Sequence, residues 1–289
     1  VRDGWAQEAV LRFARLEFVR GEWRKYMQSL QSPGEGPAGD PEATTFEVAA
    51  VNIEENGNRT PINYMLPPGI NQEIDVGSAN LRNLNEQSLE LSTCNLLDGD
   101  ARAAFRNVSF DIRSYKKIRM YVHGETAFPD RPLAKGDVSV FVRLGNDYEQ
   151  NYYEYEMPLT PSTLFNNDPY NVWPEANNMI IEFARLNDVK MARNQAGLPV
   201  NQRYGEWDGD RRIIVKGNPN LSQMTTIMIG IRNPKRDGVE ANPWTTDNGF
   251  AQCVKVWVNE LRLTDFDQEG GWAALARVNT TLADLGTLS

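Results

Sequence analysis

Hydrophobic positions along the chain recur with two different periods. From Trp5 to Leu30, the residues Trp5, Ala9, Phe13, Leu16, Val19, Trp23, Met27 and Leu30 follow one another at three- and four-residue steps, the spacing of one amphipathic helix face. The stretch Gln31 to Glu42 then packs three prolines and three glycines into twelve positions, which stops that helix and predicts an exposed linker. Beyond the linker the period drops to two. Leu89, Leu91 and Thr93 alternate with polar residues, as do Val108, Phe110 and Ile112; Ile118, Met120 and Val122; and Val138, Val140, Val142 and Leu144. Tyr153, Tyr155, Met157 and Leu159 repeat the pattern, followed by Ile227, Ile229 and Ile231 and by Val254, Val256 and Val258.

These strands predict a sheet with one buried face. In the last of them the apolar parity moves from even positions to Leu261 and Leu263, which predicts a bulge near Asn259 or Glu260. Turn chemistry separates the runs at Asn56-Gly57-Asn58, Pro67-Pro68-Gly69 and Leu144 to Asp147. A second, short helix fits Glu182 to Arg193. Many strands with little helix between them predict a mainly β chain, an antiparallel β-sandwich carrying an N-terminal amphipathic helix. The expected division is a helical arm over 1–31, a Pro/Gly-rich linker over 32–43, the sandwich over 44–270 and a tail over 271–289.

Composition narrows the function classes. Hydrophobic residues are 40% of the chain and charged residues 24%, enough apolar material for a packed core. The 39 acidic and 30 basic residues leave a net charge of −9, which repels nucleic-acid phosphates, and the basic stretches at Lys116 to Arg119 and Lys235-Arg236 are short and isolated. No run reaches the length of a membrane-spanning helix, although alternating barrel strands escape that test. The start at Val1, without an initiating methionine, predicts a fragment. Cys94 and Cys253 lie outside any metal-type spacing; a bridge is open to them, but two unpaired buried cysteines are the commoner arrangement.

Candidate chemistry is sparse. The single histidine, His123, reads as a strand-end surface residue. No GxSxG, HExxH, Walker-type or GxGxxG pattern occurs. Asp265, Asp267 and Glu269 precede Gly270 as in the first half of a calcium loop, but Ala276 stands where that loop needs its bidentate glutamate, so only an incomplete metal candidate remains. Asp98-Gly-Asp100 and Asp208-Gly-Asp210 have ordinary turn composition. Tyr153 and Tyr155 share a face on which a sugar would stack, yet their parity with Met157 and Leu159 assigns them to the core. A carboxylate-only glycosidase is the one enzyme class that this inventory does not forbid.

The segment Cys253 to Leu263 resembles the closing strand of carbohydrate-binding and galactose-binding-like jelly rolls. Longer phrases carry a second resemblance: Arg15 to Arg24, Ala50 to Gly57, Arg59 to Ile70, Asn85 to Leu89, Val140 to Gly145, Val215 to Leu221 and Val258 to Asp267, followed by Gly270 to Ala274, are similar to the SprA (Sov) family. Those proteins are very large outer-membrane β-barrels that serve as translocons of the type IX secretion system and support gliding motility. The resemblance implies an internal, soluble, non-catalytic structural or gating piece of such a barrel, in the outer membrane of a Gram-negative bacterium. It implies no cofactor and no catalytic residue. Implied partners are the remainder of the barrel, accessory outer-membrane and periplasmic subunits, and exported cargo. A carbohydrate-binding module is the alternative reading. Val278, Thr280 and Leu282 alternate as in a tail re-entering a barrel.

Overall fold

The computed structural model describes residues 22–30, 43–72, 74–75, 82–110, 112, 114–128, 131–235, 248–266, 280–282 and 286–288. Two antiparallel sheets face each other. Numbered in chain order, the seven-stranded sheet runs β1 (Arg24–Lys25), β6 (Ala101–Phe110), β13 (Met224–Arg232), β8 (Ser139–Gly145), β9 (Tyr152–Pro158), β12 (Arg211–Lys216) and β11 (Tyr204–Asp208). The five-stranded sheet runs β10 (Met179–Glu182), β7 (Tyr115–Thr126), β14 (Gln252–Phe266), β5 (Gln87–Leu96) and β2 (Thr45–Asn52). Two small hairpins, β3 (Ile74–Asp75) with β4 (Arg82–Asn83) and β15 (Thr280–Leu282) with β16 (Gly286–Leu288), stand apart from them. Three helices complete the described chain: α1 (Ile53–Asn56), α2 (Pro169–Val172) and α3 (Phe183–Gln195). The chain changes sheets between β5 and β6, β6 and β7, β7 and β8, β9 and β10, β10 and β11, and β13 and β14, the crossing connections of a jelly-roll-like sandwich.

The alternating residues form the core between the sheets. Val140, Val142 and Leu144 meet Ile227, Ile229 and Ile231 from one sheet, and Ile118, Met120, Val122, Val254, Val256 and Val258 close over them from the other. Tyr153 and Tyr155 are buried with Met157 and Leu159, as their parity predicts. Helix α3 seals one flank with Phe183, Leu186 and Val189, spaced to share one side, so the second predicted helix forms within two residues of its expected ends.

The N-terminal helix falls mostly on residues outside the described ones, as does the linker at 31–42. Where the arm is described, at 22–30, it is not helical. Arg24 and Lys25 pair with Phe105 and Ala104 of β6, and the backbone N–H groups of Tyr26 and Leu30 donate to Ala103 (2.9 Å) and Ala101 (3.0 Å). The edge of β6 offers these donors a ladder, and that ladder outcompetes the helical periodicity of Trp23, Met27 and Leu30.

The expectation of one buried face is also corrected. Every residue of β8 and of β9 is buried, on both sides of the sheet. Leu30 and Tyr26 cover the outer side, over Ala101, Ala103, Phe141 and Met228. The outer side of the five-stranded sheet is covered by Ile62, Tyr64, Val172 and Trp173, which pack on Val51 and Trp257. Long connections therefore act as two additional layers.

Two bulges set the register of β14. Asn259 pairs with Tyr121 and Arg262 with Arg119, so Glu260 and Leu261 oppose Met120 alone, and Glu260 takes a φ of 57°. This is the bulge that the parity change predicts, and it returns Leu261 and Leu263 to the core side. At the other end Gln252 pairs with Leu96 and Val254 with Thr93, so Cys94 and Asn95 oppose Cys253. Asn95 takes up the turn with a φ of 54°, and Cys94 bonds to Cys253. The expected pair of free cysteines is thus a disulfide, because a bulge on one strand places both side chains at a single register position. A disulfide typically contributes about 2–4 kcal/mol, and closing a 159-residue separation puts this one at the upper end or above. Cys253→Ser should lower the denaturation free energy by that amount, and reductant should bring the unaltered chain down to the variant's value in urea titrations.

Candidate functional site

Two buried polar clusters hold the chain's chemistry-bearing residues. The first lies on the outer side of the five-stranded sheet. On β7 the inward parity belongs to Ile118, Met120 and Val122, so Tyr121, His123 and Glu125 project outward, under the layer formed by 53–65 and 160–173. His123 is in mid-strand and fully buried, not at a surface strand end. The strand runs on to Thr126, and the covering layer removes the solvent that its parity would otherwise meet. Its ring stacks on Trp257 at 4.0 Å between centroids, with Trp173 edge-on at 6.1 Å.

His123 lies 3.0 Å from Ser162 Oγ through Nδ1, and its Nε2 faces Glu125 Oε2 at 3.8 Å. Serine, histidine and carboxylate in that order suggest a hydrolase triad. The hydrogen bonding argues otherwise. Nδ1 also lies 2.7 Å from the carbonyl of Val172, which can only accept, so Nδ1 carries the proton and cannot take one from Ser162. Glu125 is committed to Arg59, whose guanidinium also donates to the Ile62 carbonyl at 3.0 Å and stacks over Trp257. Burial alone would raise the Glu125 carboxyl, but His123 and Arg59 outweigh it and hold the group below the usual range. Tyr64, pushed up to about 12 by burial, links Ser88 at 2.8 Å and Asn259 at 3.2 Å in the same layer. The cluster's hydrogen bonds tie the loop segments carrying Arg59, Ser162 and α2 down onto the sheet.

The second cluster lies on the outer side of the seven-stranded sheet. Glu154 is the outward residue between Tyr153 and Tyr155 and has no exposed surface. Arg143, directly across on β8, donates through Nε at 2.8 Å to Oε2. Arg203 (3.1 Å) and Arg232 (2.8 Å) donate to Oε1. Burial opposes the charge, yet the three guanidinium groups prevail and hold Glu154 far below the usual carboxylate range. Arg232 also reaches Glu156 at 3.2 Å, and Glu156 accepts from Ser139. Arg232 donates to the Leu30 carbonyl (3.2 Å) and Arg143 to that of Tyr148 (2.6 Å), which fixes the covering layer. Arg143 lies flat on Tyr152 at 4.0 Å.

The remaining sequence candidates do not converge. Asp265 pairs with Lys117 at 3.3 Å, while Asp267 and Glu269 lie outside the described residues. Among the described residues no group of three or more His, Cys, Asp or Glu side chains is placed to hold a metal ion. Asp100, read as a turn residue, is fully buried and accepts from Arg102 at 3.1 Å and from the Ala101 N–H at 2.7 Å. Asp208 and Asp210 pair with Arg185 (3.7 Å) and Lys135 (3.1 Å). The lattice around Glu154 escaped the sequence reading, although opposite charges on the polar parity of two all-apolar runs, Arg143 and Glu154, were its signal.

Removing the charge of Glu154 leaves three arginines facing a site that can no longer balance them. Glu154→Gln should therefore destabilise the fold by about 3–5 kcal/mol at neutral pH. Because the folded carboxyl sits below its unfolded value, its contribution is complete above about pH 4.3 and is lost as pH falls through that point toward the lower folded value. Urea titrations across pH should show that acid loss in the unaltered chain and a flatter profile in the variant.

Compared with known families, the chain matches, over residues 1–289, the model SprA_N, described as a motility related/secretion protein. No curated protein matches it.

Proposed function

Because the chain belongs to the SprA_N family of motility-related secretion proteins, we propose that it serves as a non-catalytic structural and gating domain of an outer-membrane protein-export translocon of the type IX kind. The observation that carries the non-catalytic part is the fate of the reactive side chains. His123, Ser162, Glu125, Glu154 and Glu156 are all buried and engaged by neighbouring side chains or carbonyls of the sheets and their covering segments. A layered, internally cross-linked sandwich of this type presents a fixed surface, which suits a module that positions neighbours. The Cys94–Cys253 bond supports residence in an oxidising compartment such as the bacterial envelope.

In this reading the sandwich stands outside the hydrocarbon zone, beside a closed barrel formed by the rest of the parent chain. None of the described helices is long and apolar enough to cross a membrane, a test that β-strands do not face. Its neighbours are the barrel, accessory outer-membrane and periplasmic subunits, and passing cargo. Exposed Phe165, Tyr170 and Phe250 are suitable sites for photo-reactive residues, because substitution there disturbs no core contact.

Irradiation of intact envelopes should give adducts with barrel, accessory subunits or exported proteins. Glu154→Gln should reduce protein export and surface motility together. Normal export by cells whose parent protein lacks residues 44–270, or glycan turnover by the purified chain, would sink the proposal.

A further inference from the structure

Among the described residues, β2 is the terminal strand of the five-stranded sheet and is eight residues long. Its backbone polarity follows from two hydrogen bonds. The Thr45 carbonyl accepts from Thr93 Oγ1 on β5 at 3.0 Å, so it is turned toward β5. In an antiparallel strand the N–H and C=O of a residue point to the same side and alternate along the chain. Thr45, Glu47, Ala49 and Val51 thus spend their backbone groups on β5, and those of Phe46, Val48 and Ala50 point away from it. Asn52 continues that parity, and its N–H reaches Asn56 Oδ1 at 3.0 Å instead of β5.

The side chains divide in the same way. Phe46 and Val48 turn inward, and beside them a cavity of about 530 Å³ opens at the margin of the sandwich, lined by Trp23, Val48, Ala49, Ala50 and Leu89 with Glu22, Gln87 and Ser88 adding polar atoms to its wall. Trp23, Val48 and Leu89 pack on the core yet stay partly exposed. Glu47 is on the opposite parity and exposed, while Glu90 on the adjoining strand is partly buried and accepts from the Trp257 indole at 2.8 Å. An outward-facing row of peptide donors and acceptors therefore runs between the slot on one side and the Glu47 carboxylate on the other.

We propose that β2 is an acceptor edge for an extended strand of another protein, one that alternates apolar with basic residues. The ladder supplies backbone pairing, the pleat delivers every second side chain to the slot, and the intervening ones meet Glu47. The net charge of −9 favours the same partner. A second copy of this chain fits poorly, because it would bring the same exposed Glu47 and the same net charge of −9 against this edge. Val51, at the far end of β2, belongs to the layer over the five-stranded sheet, but Glu47 and Ala50 belong to neither buried cluster, so a negative result here leaves the proposed function standing.

The test titrates the 289-residue chain with a capped peptide alternating valine and lysine, followed by calorimetry. Saturable binding is expected, with little for a peptide of the same composition in blocked order. Ala50→Pro deletes an outward N–H without touching the β5 ladder and should weaken binding about tenfold, with circular dichroism unchanged. Glu47→Lys, a surface change that leaves folding alone, should weaken it about threefold and shift preference toward a valine–glutamate peptide. Three outcomes overturn the proposal: no saturable binding, equal affinity for both variants, or equal affinity for the blocked peptide. Concentration-dependent dimerisation abolished by Ala50→Pro does so as well, by assigning the edge to a second copy.

Discussion

The carboxylate of Glu154 has no access to water, and the seven-stranded sheet is arranged around neutralising it. A buried charge on that scale is tolerated only when it is paired and fully hydrogen-bonded. Its three partners come from β8, from the end of β13 and from the segment leading into β11, so one side chain ties together parts of the chain far apart in sequence. Arg143 and Arg232 then reach onward to the carbonyls of Tyr148 and Leu30. The covering layer is thereby coupled to the charge beneath it. If that layer lifted, water would reach the lattice and the guanidinium groups would lose the low-dielectric setting that makes each bond strong.

The two clusters solve the same problem with different chemistry. Each sheet has an outer side that a simple sandwich would give to solvent, and each is roofed by a long connection. On the seven-stranded sheet the roof is held by charge. On the five-stranded sheet it is held by rings, with His123 stacked on Trp257 beneath Trp173 and with Arg59 bridging Trp257 and Glu125. Both arrangements use residue types that sequence reading associates with catalysis. At His123 geometry decides otherwise through a single acceptor, the Val172 carbonyl, which keeps a proton on the ring nitrogen whose lone pair a triad would need to offer the serine.

How far the sequence revealed this architecture depends on which interaction positioned each residue. Strands β5, β7 to β9, β13 and β14 follow from period-two alternation, the run from Val108 marks only the end of β6, and the Glu260 bulge follows from the interruption of alternation in β14, because side-chain parity is a local property of the chain. Strands β2, β10 and β12 were obscured: Val48-Ala-Ala-Val51, Met179-Ile-Ile181 and Ile213-Ile-Val215 are continuous apolar runs without alternation. The edge position of Arg24 and Lys25, the burial of His123 and the Cys94–Cys253 bond were not legible at all. Each depends on what lies across from it in space, and the helical spacing of Trp23, Met27 and Leu30 even pointed the wrong way. The same holds for Glu154, whose alternation placed it correctly on the outer side while giving no sign that this side is dry.

The bond between Cys94 and Cys253 has a mechanical consequence. Tension applied between the two ends of the chain would pass through the sulfur atoms and bypass the intervening loop, which holds β6 to β13 and with them most of the seven-stranded sheet. Roughly 550 Å of contour length is thereby withheld from extension, given about 3.3–3.6 Å per extended residue over the 159-residue separation. A module loaded in this way can yield at β2 and along the distal part of β14 while its centre stays closed, behaving as a stiff link of limited reach.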